Sequence, residues 1–195
     1  MKVKVVSFCT AGPYAEEAKK LRESCDKFGL DCIAVEYTRE YLPTWKDAVC
    51  LKPDHMFECL ILWDNYDYIL WTDADSFFVK KPDFDKFKGC DVAWHKFKRT
   101  RNHEEEFLTG TMLLRPCEEV ISFARAWGGR TREFYHTDTP EQRSLKVVWP
   151  DFADKLKFMD LGPDMVYIHD DFKSIYPKVD PVIIHTQASR KYRRE

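Results

Sequence analysis

The sequence predicts an α/β protein with a mostly parallel central sheet flanked by helices, and three observations carry that expectation. β-branched and aromatic runs of strand length alternate with stretches of helical periodicity along most of the chain. The opening follows the order strand, loop, helix, strand, which begins a parallel sheet. The 195 residues are 44% hydrophobic and show no internal repeat, low-complexity tract or linker, so one domain spanning 1–195 has material for a proper core.

Taken in order, "VKVVSFC" (3–9) is a strand that ends in the turn-rich "TAGPY". Ala15, Ala18, Leu21, Cys25 and Phe28 then recur at helical spacing, and Gly29 supplies the stop. "DCIAVEY" (31–37) is the second strand and 38–47 a loop. Residues 50–65 form a helix with Pro53 in its first turn. "YDYILWT" (66–72) is the third strand. Strands are expected at 91–96 and 107–115, separated by the charge-rich loop "FKRTRNHEEE", whose glutamates 104–106 form a solvated face. "CEEVISFARAW" is an amphipathic helix ended by Gly128 and Gly129, and Pro140 starts another. "LKFMDLG", "MVYIHD" and "VIIHT" are short strands, and a basic tail carries Arg190, Lys191, Arg193 and Arg194.

A formal net charge of −2 gives no global attraction for nucleic acid or anionic membrane. The seven cysteines are scattered, odd in number and lack a C-x-x-C pair, which points to a reducing compartment rather than to a disulfide framework or zinc site. No apolar run has the length of a signal peptide or membrane span. A soluble cytoplasmic protein without membrane insertion, of bacterial or viral type, is the expectation.

The chemistry concentrates in "YILWTDADSFF". Asp73 and Asp75 stand at the end of a hydrophobic strand, where open α/β sheets bind ligands. Two carboxylates at i, i+2 across a turn converge on one hard cation, and Mg²⁺ or Mn²⁺ accepts carboxylate oxygens together with phosphates. A polar turn and a nucleophile with its acid partner are the other readings of the pair.

The D-x-D strand followed by an aromatic segment and "KKP" resembles the motif of GT-A nucleotide-diphospho-sugar glycosyltransferases, which share a Rossmann-like fold. The similarity extends along the chain. The opening "SFCTAGPYAEEAKKLRESCDKFG" and then Trp45, Lys52 and Pro53 precede the motif. "FLTGTMLLRP" resembles the family's strand facing the donor sugar, and "EQRSL" its helix start, with glutamate in place of aspartate. "IHTQASRK" resembles the histidine segment of the retaining, glycogenin-like branch, with Lys191 six residues after His185 and Ala188 where that branch has glycine.

That resemblance implies a metal-dependent enzyme moving a sugar from a nucleotide-diphosphate donor, a UDP-sugar by preference, to an acceptor hydroxyl. It implies Asp73, Asp75 and His185 as ligands of Mn²⁺ (or Mg²⁺), with His169 the competitor for the third place. Thr10, Gly12, Tyr14, Lys52, Asp73, Ala74, Gly110, Thr111 and Lys191 are implied in donor binding, although an exposed helix lysine is the plainer reading of Lys52. Asp75, Glu141 and Gln142 are implied in catalysis, and Glu141 has a second reading as a first-turn acid complementing the helix dipole. The acceptor stays open between glycan, protein, small molecule and modified nucleic-acid base, and so do retention and inversion. The D-x-D also resembles the nucleophile motif of haloacid-dehalogenase-like phosphatases. Those place it after the first strand, whereas a full strand–helix–strand–helix block precedes it here.

Overall fold

The structure, a computed structural model, describes residues 1–98 and 105–188. β1 (Val3–Thr10), β2 (Asp31–Tyr37), β3 (Tyr68–Thr72), β5 (Val92–Lys98), β6 (Glu105–Leu114) and β7 (Phe158–Asp160) form a six-stranded sheet in the order β2-β1-β3-β6-β5-β7. β1 pairs in parallel with β2 and β3, and β5 with β7, whereas β6 runs antiparallel to both its neighbours. Every strand but β6 therefore points the same way, as the sequence predicts. A second sheet of three short strands takes the order β4-β9-β8, from Ser76–Phe78, Ile183–His185 and Tyr167–Ile168.

Side-chain alternation along the central strands divides the core into two layers. Val6, Ile69, Trp71, Trp94 and Met112 face the layer covered by helices α2 (Trp45–Leu62), α3 (Glu118–Thr131) and α4 (Pro140–Val148). Val5, Leu70, Ala93 and Leu113 face the layer with helix α1 (Pro13–Lys27) and the small sheet. The short helix α5 (His169–Ile175) joins β8 to β9.

α1 ends as expected. Gly29 has a φ of 65°, and the amides of Leu30 and Gly29 reach the carbonyls of Cys25 and Asp26 at 2.9 and 3.1 Å, a Schellman closure. Two other helix boundaries differ from the sequence expectation. α2 starts at Trp45 because Thr44 and Asp47 form a capping box, Thr44 Oγ1 accepting from the Asp47 amide and Asp47 Oδ2 from the Thr44 amide. Pro53 thus lies inside the helix rather than in its first turn, and burial of the surrounding stripe offsets the lost hydrogen bond. α3 runs through Gly128 and Gly129, since a Cβ on Gly128 would collide with the Asp54 carboxylate of α2: the glycine marks close helix contact, not a stop. His169 opens α5 instead of continuing β8, and Glu105 and Glu106 belong to β6 rather than to a loop. The rest of the expected charged loop, 99–104, and the basic tail with Lys191 lie outside the described residues.

His55 is buried on α2 among Phe8, Tyr37 and Trp71, with Nδ1 3.1 Å from the Tyr37 hydroxyl. Burial pushes its pKa down to about 4, so the fold holds the neutral ring. In the unfolded chain the ring titrates near pH 6.5, where it takes up a proton that the native state refuses. Stability present above that pH is therefore lost progressively as pH falls from about 6.5 towards about 4, by roughly 3 kcal/mol from this group. Urea unfolding across this range is expected to show a shallower pH slope in His55→Phe than in the unaltered protein.

Candidate functional site

The carboxyl ends of β1 and β3 and the middle of β6 open into a cavity of about 580 Å³. One wall comes from the end of β1 and the start of α1, with Phe8, Thr10 and Tyr14, joined by Arg39 after β2. A second comes from the start of α2 and the segment before it, with Leu42, Trp45, Val49 and Lys52. The start of α4 contributes Glu141 and Gln142, and Leu108, Val166, Ile168 and Gln187 also line the cavity. Asp73, Ala74 and Asp75 form the floor with Gly110 and His185.

Alternation places the two aspartates. Asp73 follows Ile69 and Trp71 onto the α2 face, where its Oδ1 accepts from Trp71 Nε1 at 3.1 Å and lies 2.8 Å from Lys52 Nζ. Asp75 is fixed by the chain after β9: its Oδ2 accepts from the Ala188 amide at 2.7 Å, and its carbonyl from the Thr186 amide and hydroxyl at 2.9 and 3.0 Å. β9 pairs with β4 so that His185 stands opposite Ser76. Among the described residues, Asp73, Asp75 and His185 form one group whose ligand atoms all lie within 4.8 Å of one another, and His169 is not part of it.

The donor set suits a divalent cation such as Mn²⁺. Thr111 Oγ1 meets His185 Nε2 at 2.8 Å and continues to Thr72 and Ser76, so with Nε2 as donor the lone pair sits on Nδ1. Burial pushes the His185 pKa down to about 4, with Asp73 opposing and Lys52 adding to the effect. The ring is thus neutral, as a ligand must be. Gly110 completes the cradle. A Cβ there would stand 3.1 Å from His185 Cε1, 3.3 Å from Asp73 Oδ2 and 3.4 Å from His185 Nδ1. Burial and the neighbouring charge of Asp73 raise Asp75 to about 6, against the Ala188 amide and Lys52. A carboxylate pair held this close gains from a cation between them.

Lys52 is buried rather than exposed, and its Nζ also lies 3.8 Å from Glu141 Oε1. Burial alone would lower its pKa, but Asp73, Glu141 and Asp75 outweigh that and raise it. Glu141 is buried, with Oε1 accepting from Thr109 Oγ1 at 3.0 Å and Oε2 without a partner among the described residues. Burial raises its pKa and Lys52 counters. Trp127 Nε1 anchors the helix start by donating to the Glu141 carbonyl at 2.8 Å.

Of the residues expected from sequence, Thr10, Tyr14, Lys52, Asp73, Ala74, Asp75, Gly110, Glu141, Gln142 and His185 meet in this cavity. Gly12 is the N-cap of α1, with φ 99° and the Arg39 guanidinium against it. Thr111 does not face the cavity: it is fully buried behind His185, and Thr109 takes the place expected of it. Arg39, Trp45, Thr109 and Gln187 were not expected. Strand parity puts Thr109 and Thr111 on one face, and the register shift of β6 against β5 at this stretch separates them, which the sequence does not signal; the Thr44–Asp47 capping box would have put Trp45 and Lys52 on one helix face.

No family model matches the sequence, and no curated protein is similar to it at the sequence level. The crystal structure of a glycosyltransferase involved in the glycosylation of the major capsid of PBCV-1 superposes with a TM-score of 0.71 at 15% identity, over 96% of this chain and 93% of that one. At that identity the likeness carries the fold, and the chain has the GT-A-like architecture of that protein.

Thr111→Val keeps the shape but removes the oxygen that orients His185. Mn²⁺ affinity, read by titration calorimetry, is expected to fall about 10- to 100-fold with the fold retained.

Proposed function

We propose that the protein is a divalent-cation-dependent glycosyltransferase moving a sugar from a nucleoside-diphosphate donor, a UDP-sugar by preference, to an acceptor hydroxyl. The observation that carries this reading is the convergence of Asp73, Asp75 and a neutral His185 beneath Gly110 at the floor of a cavity open to the strand ends. The fold shared with a glycosyltransferase supports it.

A cation bound by these three side chains supplies positive charge to the diphosphate as it departs. The chain's own residues supply the rest. Phe8, Thr10 and Tyr14 give the nucleoside a wall with ring faces, and Arg39 adds a positive edge. Lys52 holds Asp73 and Glu141 in place and keeps positive charge at the floor while they are ionised. Glu141 Oε2, buried and without a partner among the described residues, is the free carboxylate oxygen for the reacting sugar: it takes the acceptor proton or faces the positive charge developing at the anomeric carbon. Thr109 fixes the other oxygen, so the carboxylate need not reorganise as charge develops. Lys191 over the diphosphate is part of the same proposal.

A phosphatase using the same aspartates would release phosphate from p-nitrophenyl phosphate without any sugar nucleotide. The transferase instead hydrolyses one sugar nucleotide slowly in Mn²⁺, and a panel of sugar nucleotides identifies which. Asp75→Asn is expected to abolish that turnover in a folded protein, as is EDTA, and His185→Ala to weaken Mn²⁺ binding. Full activity of Asp75→Asn, or activity indifferent to EDTA, would count against the cation site.

A further inference from the structure

Gln187 is unlike the other residues around the cavity in two respects. It is the one non-glycine residue with positive φ among the described residues, at 51°. Its side-chain Oε1 is buried with no hydrogen-bond partner among the described residues, although the residue lines the cavity. The backbone on either side explains the first feature in part, because Thr186 and Ala188 both bond to Asp75 and the chain must turn between them. Glycine or asparagine would make that turn at lower cost. Glutamine there is a backbone compromise that leaves a carboxamide at the wall, and observed strain of this kind is a pointer to function.

The surroundings indicate what the amide meets. Gln187 follows β9 and lines the cavity with Leu108 of β6 and with Val166 and Ile168 at β8, elements that the strand orders β1-β3-β6 and β4-β9-β8 place at the end away from β1 and α1. With the nucleoside on the β1 wall and the diphosphate over the aspartates, this end lies beyond the reacting sugar. An unpartnered carbonyl oxygen needs a donor, which a hydroxyl provides and an ionised phosphate or carboxylate does not. The described side chains of this end are aliphatic and uncharged apart from the amide. They match the C–H face of a sugar ring better than a nucleobase, which would call for an aromatic platform. We infer that Gln187 is a specificity-determining residue that hydrogen-bonds a hydroxyl of a neutral saccharide acceptor. The inference rests on the proposed transferase reading and adds the acceptor's class and one of its contacts.

The test compares Gln187→Gly and Gln187→Asn with the unaltered protein. It uses the sugar nucleotide that the unaltered protein hydrolyses in Mn²⁺ and a panel of methyl hexopyranosides and methyl pentopyranosides as acceptors. Both substitutions suit positive φ, so thermal unfolding is expected at or above the original temperature, which separates a lost contact from a damaged fold. The acceptor KM is expected to rise about tenfold while the donor KM stays within about twofold. Unchanged KM values, or a donor KM that rises as much as the acceptor KM, would overturn the assignment. Donor hydrolysis by the unaltered protein without transfer to any methyl glycoside would overturn the acceptor class. Absence of both hydrolysis and transfer would mean that the transferase reading itself has failed, and the inference falls with it.

Discussion

The buried ammonium of Lys52 lies between two carboxylates from different parts of the fold, 2.8 Å from Asp73 Oδ1 and 3.8 Å from Glu141 Oε1, and the electrostatics of the cavity floor follow from that placement. Removing a lysine from water costs several kcal/mol unless its charge is matched. Here Asp73, Glu141 and Asp75 match it, and the Trp71 ring 5.6 Å away adds its face. The same ammonium makes it possible to gather three carboxylates in one place. Fully ionised, they exceed it by two negative charges, which one divalent cation complements. Burial, and after it repulsion from Asp73, raises Asp75 to about 6, and a cation beside the pair would oppose both.

The reversed direction of β6 is the second constraint. In a wholly parallel sheet each strand would deliver only its terminus to the ligand edge. Running against its neighbours, β6 instead brings its middle past the end of β3, where the Gly110 carbonyl accepts from the Asp73 amide at 2.8 Å. Three successive residues then serve different surfaces. Thr109 holds Glu141, Gly110 leaves room for the ligand atoms, and Thr111 holds His185 from behind. The register shift of β5 against β6 between Trp94 and His95 lies close to this stretch and changes which side chains face each layer beyond it.

Much of this was legible in the sequence, and the failures have physical causes. The aspartate pair was visible because a strand buried on both faces is hydrophobic throughout, so two acids at its end stand out. The sheet direction followed from the βαβ opening. His185 was legible only through similarity to a family motif, since a histidine ending a short strand carries no periodic signal. The exposed reading of Lys52 failed because Pro53 suggested a helix start, whereas the Thr44–Asp47 box puts that start five residues earlier and Lys52 lines the cavity. Gly128 and Gly129 looked like a terminator, but close packing of α3 on α2 calls for a small residue at Gly128 just as a helix end does. Gln187 left no signal, because glutamine has no preference for the left-handed region.

The stitching of residues 186–188 to Asp75 joins positions separated by 111 and 113 residues, as a local turn would not. Contacts of that span are made late in folding, because the entropy of closing so long a loop must be met before they contribute. The aspartates lie in the turn that directly follows β3, a strand paired on both sides, while the histidine comes with β9, the final strand of the described chain. Assembly of the candidate site in this molecule is thus coupled to completion of the fold: with the central sheet formed and β9 undocked, the two acids stand without the histidine.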